Sequence, residues 1–187
     1  MDELEALSAR LTGGGEAPRR VIEAGRTAGD DRLQRLIRAV RSSRSAGFDP
    51  GDANRPEGLA GAVAAELAAA TGRLVPEQRE ALALRELIGL DHSELATVTG
   101  SDPAGVASLL AHARIGLRAE LRGTSAEPGD CVEHERTLRT ATARQDGEPV
   151  GAPEEDWLFE HLGRCAECAQ AHAAMLEGST CYRSWPP

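Results

Sequence analysis

Leu74-Val75-Pro76-Glu77-Gln78-Arg79-Glu80-Ala81-Leu82-Ala83-Leu84-Arg85, continued after three residues by Gly89-Leu90-Asp91-His92-Ser93-Glu94-Leu95-Ala96, is the stretch on which the reading of the fold turns. Pro76 suits a first helical turn, where its missing N–H has no partner to lose. A stripe of Leu82, Leu84, Leu87 and Ile88 follows and stops at Gly89. Asp91 is placed to cap a short helix from about His92 to Thr99, because its carboxylate can accept a backbone N–H of the first turn. Gly100 ends that helix, and Asp102-Pro103 opens a longer one carrying Val106, Leu109, Leu110, Ala113 and Leu117. Short helix, glycine turn and longer helix predict a helix-turn-helix within residues 74–123.

Outward from this stretch the chain keeps a helical character. Leu4, Leu7 and Leu11 are spaced for one helix face, Gly13-Gly14-Gly15 interrupts, and Pro18 can open a second helix. Val21, Leu33, Leu36, Ile37 and Val40 then stand as apolar positions among many arginines. Phe48 to Pro56 is a loop by composition, and an alanine-rich helix resumes around Leu59–Ala70. Downstream, residues 124–130 read as a linker. From Cys131 the expectation is a helical stretch, a break over Gly147–Pro153, and a helix through Trp157, Leu158 and Leu162 that continues past the cysteines to Met175-Leu176. Aromatics are 3% of the 187 residues, so the core must be mostly Leu, Ala, Val and Ile. Ala and Leu favour helix, and few β-branched runs suggest strands. The predicted fold class is all-α.

Every basic charge is an arginine, and 30 acids against 21 bases leave a net charge of −9. Residues 1–73 balance at 11 and 11, residues 74–123 carry 7 acids and 5 arginines, and residues 124–187 carry 12 acids and 5 arginines. The acidic C-terminal part would be repelled by nucleic acid and attracted to a basic protein surface. No apolar run approaches the roughly 18–20 residues that span a bilayer. The start, Met1-Asp2-Glu3-Leu4-Glu5, is acidic and lacks an apolar signal core. A cytoplasmic location with no membrane partner is therefore expected, and there four cysteines suggest a metal or free thiols before disulfides.

The densest local chemistry is His161-x-x-x-Cys165-x-x-Cys168. A His and a Cys four apart on a helix share a face, and a Cys-x-x-Cys pair can wrap one ion. Structural zinc takes four nitrogen or sulfur ligands in a tetrahedron. The fourth is expected from Cys131, with His134 as the alternative; a thiolate binds zinc strongly, and Cys131 begins the segment. Such an ion would staple two helices of a segment too small to hold a strong core by itself. Two other readings of the cysteines stand beside it: small buried thiols, or a redox couple. Cys181 lies outside the cluster as a free thiol, and His172 reads as helix surface.

Cys131…His161-Leu162-x-x-Cys165-x-x-Cys168, with Asp146-Gly147-Glu148 before it, resembles the zinc-binding anti-sigma fold over about residues 131–178. The resemblance implies a structural zinc on Cys131, His161, Cys165 and Cys168, and a domain that clamps a bacterial sigma factor and withholds it from RNA polymerase. Residues 74–122 are in turn similar to region 4 of sigma factors of the extracytoplasmic-function type, which reads the −35 promoter element in the major groove and touches a flap of the polymerase. A recognition helix presents its N-terminal half to base edges, where Arg, Lys, Asn or Gln give specific readout. Here that surface carries Ala104, Gly105, Ala107, Ser108, Leu109 and Ala111. Weak DNA binding is expected. The contact candidates are Ser108, Leu109 and His112, with Arg114, Arg118 and Arg122 for phosphates; Leu109 can equally be packed against residues 1–70 or the zinc domain.

Residues 1–73 hold one aromatic, Phe48, where a domain that melts and reads the −10 element would be aromatic-rich, so the chain is not read as a self-sufficient sigma factor. The expectation is a transcription regulator acting through a sigma factor, RNA polymerase or DNA, the alternative a zinc-stabilised interaction module that no longer binds DNA. Neither needs a small-molecule substrate. Without a phosphate loop, nucleophile elbow or βαβ pattern, no enzyme activity is expected.

Overall fold

The computed structural model describes residues 3–13, 17–27, 31–46, 59–125 and 129–184. Among them are ten α-helices and no β-strand, as the all-α reading requires: α1 (Glu3–Thr12), α2 (Ala17–Arg26), α3 (Arg32–Ala46), α4 (Leu59–Arg73), α5 (Pro76–Ala83), α6 (His92–Thr99), α7 (Pro103–Arg122), α8 (His134–Gln145), α9 (Ala152–Arg164) and α10 (Ala166–Arg183). A π-helical turn, Leu84–Ile88, prolongs α5. The predicted loop from Phe48 to Pro56 lies outside the described residues, as does part of the 124–130 linker. None of the described helices is long and apolar enough to cross a membrane.

Local chemistry accounts for the helix ends of the central stretch. Asp91 Oδ1 accepts the Glu94 N–H at 2.8 Å while the Glu94 carboxylate accepts the Asp91 N–H at 3.1 Å, a closed capping box on α6. Gly100 stops α6 at φ 74°, where any side chain would be strained. Asp102 Oδ1 accepts the Gly105 N–H at 2.8 Å and Pro103 fills the first turn of α7. One boundary departs from expectation. The helix through Trp157 does not run on past the cysteines: it stops at Arg164, Cys165 is extended at φ −109° and ψ 101°, and α10 restarts at Ala166. The break turns the Cys-x-x-Cys segment into a corner, which one continuous helix could not make.

Helix α7 is the axis of the molecule. Val106 and Leu110 join Leu4, Leu7, Leu11, Val21, Leu36 and Val40 of the N-terminal helices in one core, together with Leu84, Leu90 and Leu95. Ala113 and Leu117 join Leu74, Leu82 and Tyr182 in a second, and Ala111 joins Leu138, Leu158 and Met175 in a third. Each buried Leu or Val contributes about 1.5–3 kcal/mol over the exposed state, so the segments 1–73, 74–123 and 131–187 are held together by shared apolar surface centred on α7. Its alanines, buried at 107, 111, 113 and 119, are small because helices pack on most of its faces.

The closest packing is between α7 and α10. Gly178 lies against the backbone of Arg114, and a methyl group added there would stand 2.7 Å from the Arg114 carbonyl carbon and overlap its oxygen. Backbone cannot yield as a side-chain tip can. Gly178→Ala should therefore cost about 1–3 kcal/mol by overpacking, although alanine is the better helix former. Urea unfolding of the two proteins measures it; a variant as stable as the parent would show that α10 does not sit this close.

Candidate metal centre and its junction with the helix-turn-helix

The three side chains predicted from spacing and the expected fourth, Cys131, converge. One ligand atom each from Cys131, His161, Cys165 and Cys168 lies within 4.8 Å of the others, with Cys168 buried and the other three half-buried. Cys131 Sγ is 3.6 Å from His161 Nε2. In a tetrahedral site with metal–sulfur near 2.3 Å and metal–nitrogen near 2.0 Å, the edges are about 3.5–3.8 Å, so the group can close on one ion with side-chain movements of about 1 Å. Cys131 thus takes the place that sequence left open between it and His134. His134 is buried beside the cluster, with Nδ1 3.9 Å from Cys168 Sγ.

The elements present these ligands for identifiable reasons. His161 sits on the last turn of α9, stacked on Trp157 one turn earlier at 5.3 Å between ring centroids and 16° between planes. The Arg136 guanidinium covers the Trp157 ring at 3.7 Å, and Glu154 accepts two hydrogen bonds from that guanidinium at 2.9 and 2.8 Å. Such outer partners fix a ligating imidazole in orientation. Cys165 is the hinge residue between α9 and α10. The Cys168 N–H, donated to its sulfur, holds the Cys165 thiol below its ordinary range, whereas burial first and the neighbouring Cys165 thiol second push Cys168 up to about 12. A bound ion would take the place of the thiol protons, as thiolate ligation requires.

A second polar cluster, which sequence reasoning missed, joins this segment to the helix-turn-helix. Arg114, fully buried, donates to Glu86 Oε1 at 2.7 Å and to Asp146 Oδ1 at 2.6 Å, both carboxylates being buried too. Asp146 Oδ2 lies 2.9 Å from His92 Nε2, which must be the donor to a carboxylate, and the Asp146 carbonyl accepts from Arg85 at 2.5 Å. Glu148 accepts the His92 N–H at 3.0 Å, and Ser179 donates to Glu86 at 3.0 Å. Burial favours the neutral acid at Asp146, but the hydrogen bonds from His92 and Arg114 and the charges of Arg114 and Arg85 outweigh it and hold the carboxyl below its ordinary range. The sequence signals were faint: an Asp-Gly after a helix, and a glycine inside α10 that costs helix stability and so implies a close approach.

The predicted contact residues of α7 meet side chains of neighbouring elements, although His112 and Arg122 keep much of their surface exposed. Ser108 and His112 face Glu135 of α8, at 3.4 and 2.8 Å. Arg118 donates to Glu177 of α10 at 3.2 Å, and Arg122 reaches the same carboxylate at 2.9 Å. For Arg114 the phosphate reading needs correction, and for Leu109 the packing alternative is the one found. Arg114 cannot reach a phosphate, because it has no exposed surface and lies between Glu86 and Asp146. Leu109 packs against the core that α7 shares with the N-terminal helices, so its apolar character answers to burial.

No family model matches the chain, and neither a curated protein nor a solved structure is significantly similar to it.

Proposed function

We propose that this protein is a bacterial transcription regulator of the sigma/anti-sigma type, in which a zinc-stapled helical domain is docked on its own region 4-like helix-turn-helix. The supporting observation is that Ser108, His112, Arg114, Arg118 and Arg122 of α7 all point to carboxylates contributed from outside α7, each of the five to Glu135, Asp146 or Glu177 of the C-terminal segment. Those carboxylates stand where an acidic partner or phosphates would otherwise lie. The protein acts by binding, without chemistry of its own, and its partner is a sigma factor or RNA polymerase. Three thiols and one imidazole are a soft donor set that suits zinc over magnesium or calcium, and a site with four protein ligands leaves no position for catalysis.

The second reading, an interaction module that does not bind DNA, is favoured by one feature. Ala104 and Ala107, at the start of α7 where base-reading side chains would stand, have little to offer a base edge and line a cleft of about 480 Å³ together with Pro149, Val150 and Arg139.

Docking is tested with the full chain carrying Glu135→Gln and Glu177→Gln. Both carboxylates are partly exposed, so each contact contributes little, and the double variant should stay folded while the open population rises about fivefold. Binding to the bacterium's purified RNA polymerase, free and sigma-loaded, should strengthen by that factor. Equal binding by both proteins would sink the docking idea; no binding by either would remove the partner assignment.

A further inference from the structure

The balanced charge of residues 1–73 conceals a strongly basic hairpin. Residues 17–46 hold eight arginines against Glu23, Asp30 and Asp31, a net +5 inside a chain of −9. Helices α2 and α3 pack side by side in this segment. Elsewhere most of the described arginines are occupied: Arg73 pairs with Glu120, Arg136 with Glu154, Arg144 with Glu155 and Arg164 with Glu160. On the hairpin, Arg32 and Arg44 pair with Glu3 and Glu80. Among the described residues, Arg19, Arg20, Arg38 and Arg41 have no such carboxylate, and Arg139 is the one other arginine in that position. All four are exposed. Arg38 and Arg41, one turn apart on α3, line an open groove with Gln34, Ile37 and Ala24 of α2, its volume about 440 Å³.

We infer that the α2–α3 hairpin is a docking face for the phosphodiester backbone of duplex DNA, engaged without reading sequence. Four surface guanidiniums with no ion-pair carboxylate among the described residues are the charge complement of a polyanion, and each can take a phosphate by paired N–H donors. The docked C-terminal segment covers α7 and leaves this face open. The hairpin also borders the helix-turn-helix: Arg32 of α3 donates to the carbonyl of Ile88 at 2.9 Å, four residues before α6 begins. The choice of DNA over an acidic protein rests on the helix-turn-helix reading proposed above. The net acidity elsewhere keeps binding weak and dependent on salt.

Binding of the full chain to a fluorescein-labelled 20-base-pair duplex of arbitrary sequence is measured by anisotropy from 25 to 150 mM salt, alongside poly-glutamate as a competing polyanion. The parent should bind with a slope of log K against log salt near −3, and Arg38→Gln with Arg41→Gln should weaken binding about tenfold and reduce the slope by about 2, whatever the sequence. Unchanged thermal unfolding confirms that these exposed substitutions leave the fold intact. The inference is overturned if the hairpin variant binds the duplex as the parent does, or if poly-glutamate displaces the duplex at equal charge concentration. Duplex binding that survives in the hairpin variant but is lost in Arg118→Gln with Arg122→Gln overturns the inference while sparing the helix-turn-helix reading. Loss in the hairpin variant alone, with polymerase binding absent, upholds the inference and sinks the partner assignment.

Discussion

Cys165→Ser should abolish stoichiometric zinc and take the order of residues 131–168 with it. Protein purified under reducing conditions without chelator is expected to carry one zinc per chain, and the variant none. The effect is large because the four ligands come from three separated places: Cys131 ahead of α8, His161 on α9, and the Cys165–Cys168 corner. A bound ion would close the loop between them, and structural zinc contributes on the order of 10 kcal/mol where folding and binding are one event. Serine keeps the size of the side chain and removes the thiolate. Helix α9 is the element most exposed to the loss, since Leu158 is its one residue in the buried core, whereas α10 keeps Met175 and Tyr182 in the cores around α7. Elemental analysis with hydrogen exchange on residues 152–164 measures both parts. A chain that is fully protected there and holds no metal would mean that the thiols are packed and not ligating.

The second large effect is expected at Asp146. Asp146→Ala leaves Arg114 buried with Glu86 alone and strips His92 of its acceptor. Removing one partner of a buried ion pair costs about 3–5 kcal/mol, because the remaining charge stays desolvated. The pH dependence identifies the cause. The folded-state pKa of Asp146 lies below its unfolded value, near 3.9. Its contribution is therefore complete above about pH 4 and is lost as pH falls through the folded-state value. The stability gap between parent and variant, read from urea unfolding, should be full at pH 7 and close in acid. A gap that persists unchanged at pH 2.5 would assign the cost to packing and not to charge.

These two sites were legible to different degrees. His161, Cys165 and Cys168 lie within eight residues, and their spacing announces a ligand set; Cys131 could be named only as a leftover thiol of the right chemistry, because the His161 ring that it meets at 3.6 Å is 30 residues away. Asp146 was visible as part of Asp-Gly-Glu, but its role was not, since Arg114 is 32 residues distant and Glu86 must be brought in by the π-helical turn. The arginines of α7 read as phosphate ligands for the same reason: sequence shows that a side chain is charged and leaves open which carboxylate faces it. The basic hairpin was hidden differently, by averaging its charge over residues 1–73.

What the sequence by itself determined is local. The capping box of Asp91 and Glu94, the glycine stop at 100, the Asp102-Pro103 start and the apolar stripes settle an all-α chain, because each depends on atoms within about one helical turn. Only the tertiary structure decided which surface of α7 is available. Its small residues suit a worn recognition helix and a buried axis equally well, and the choice is made by Leu138, Leu158, Met175 and Gly178 packing on it from the far end of the chain. Burial is a property of what arrives at a surface, and that is set by contacts between segments which no spacing along one of them encodes.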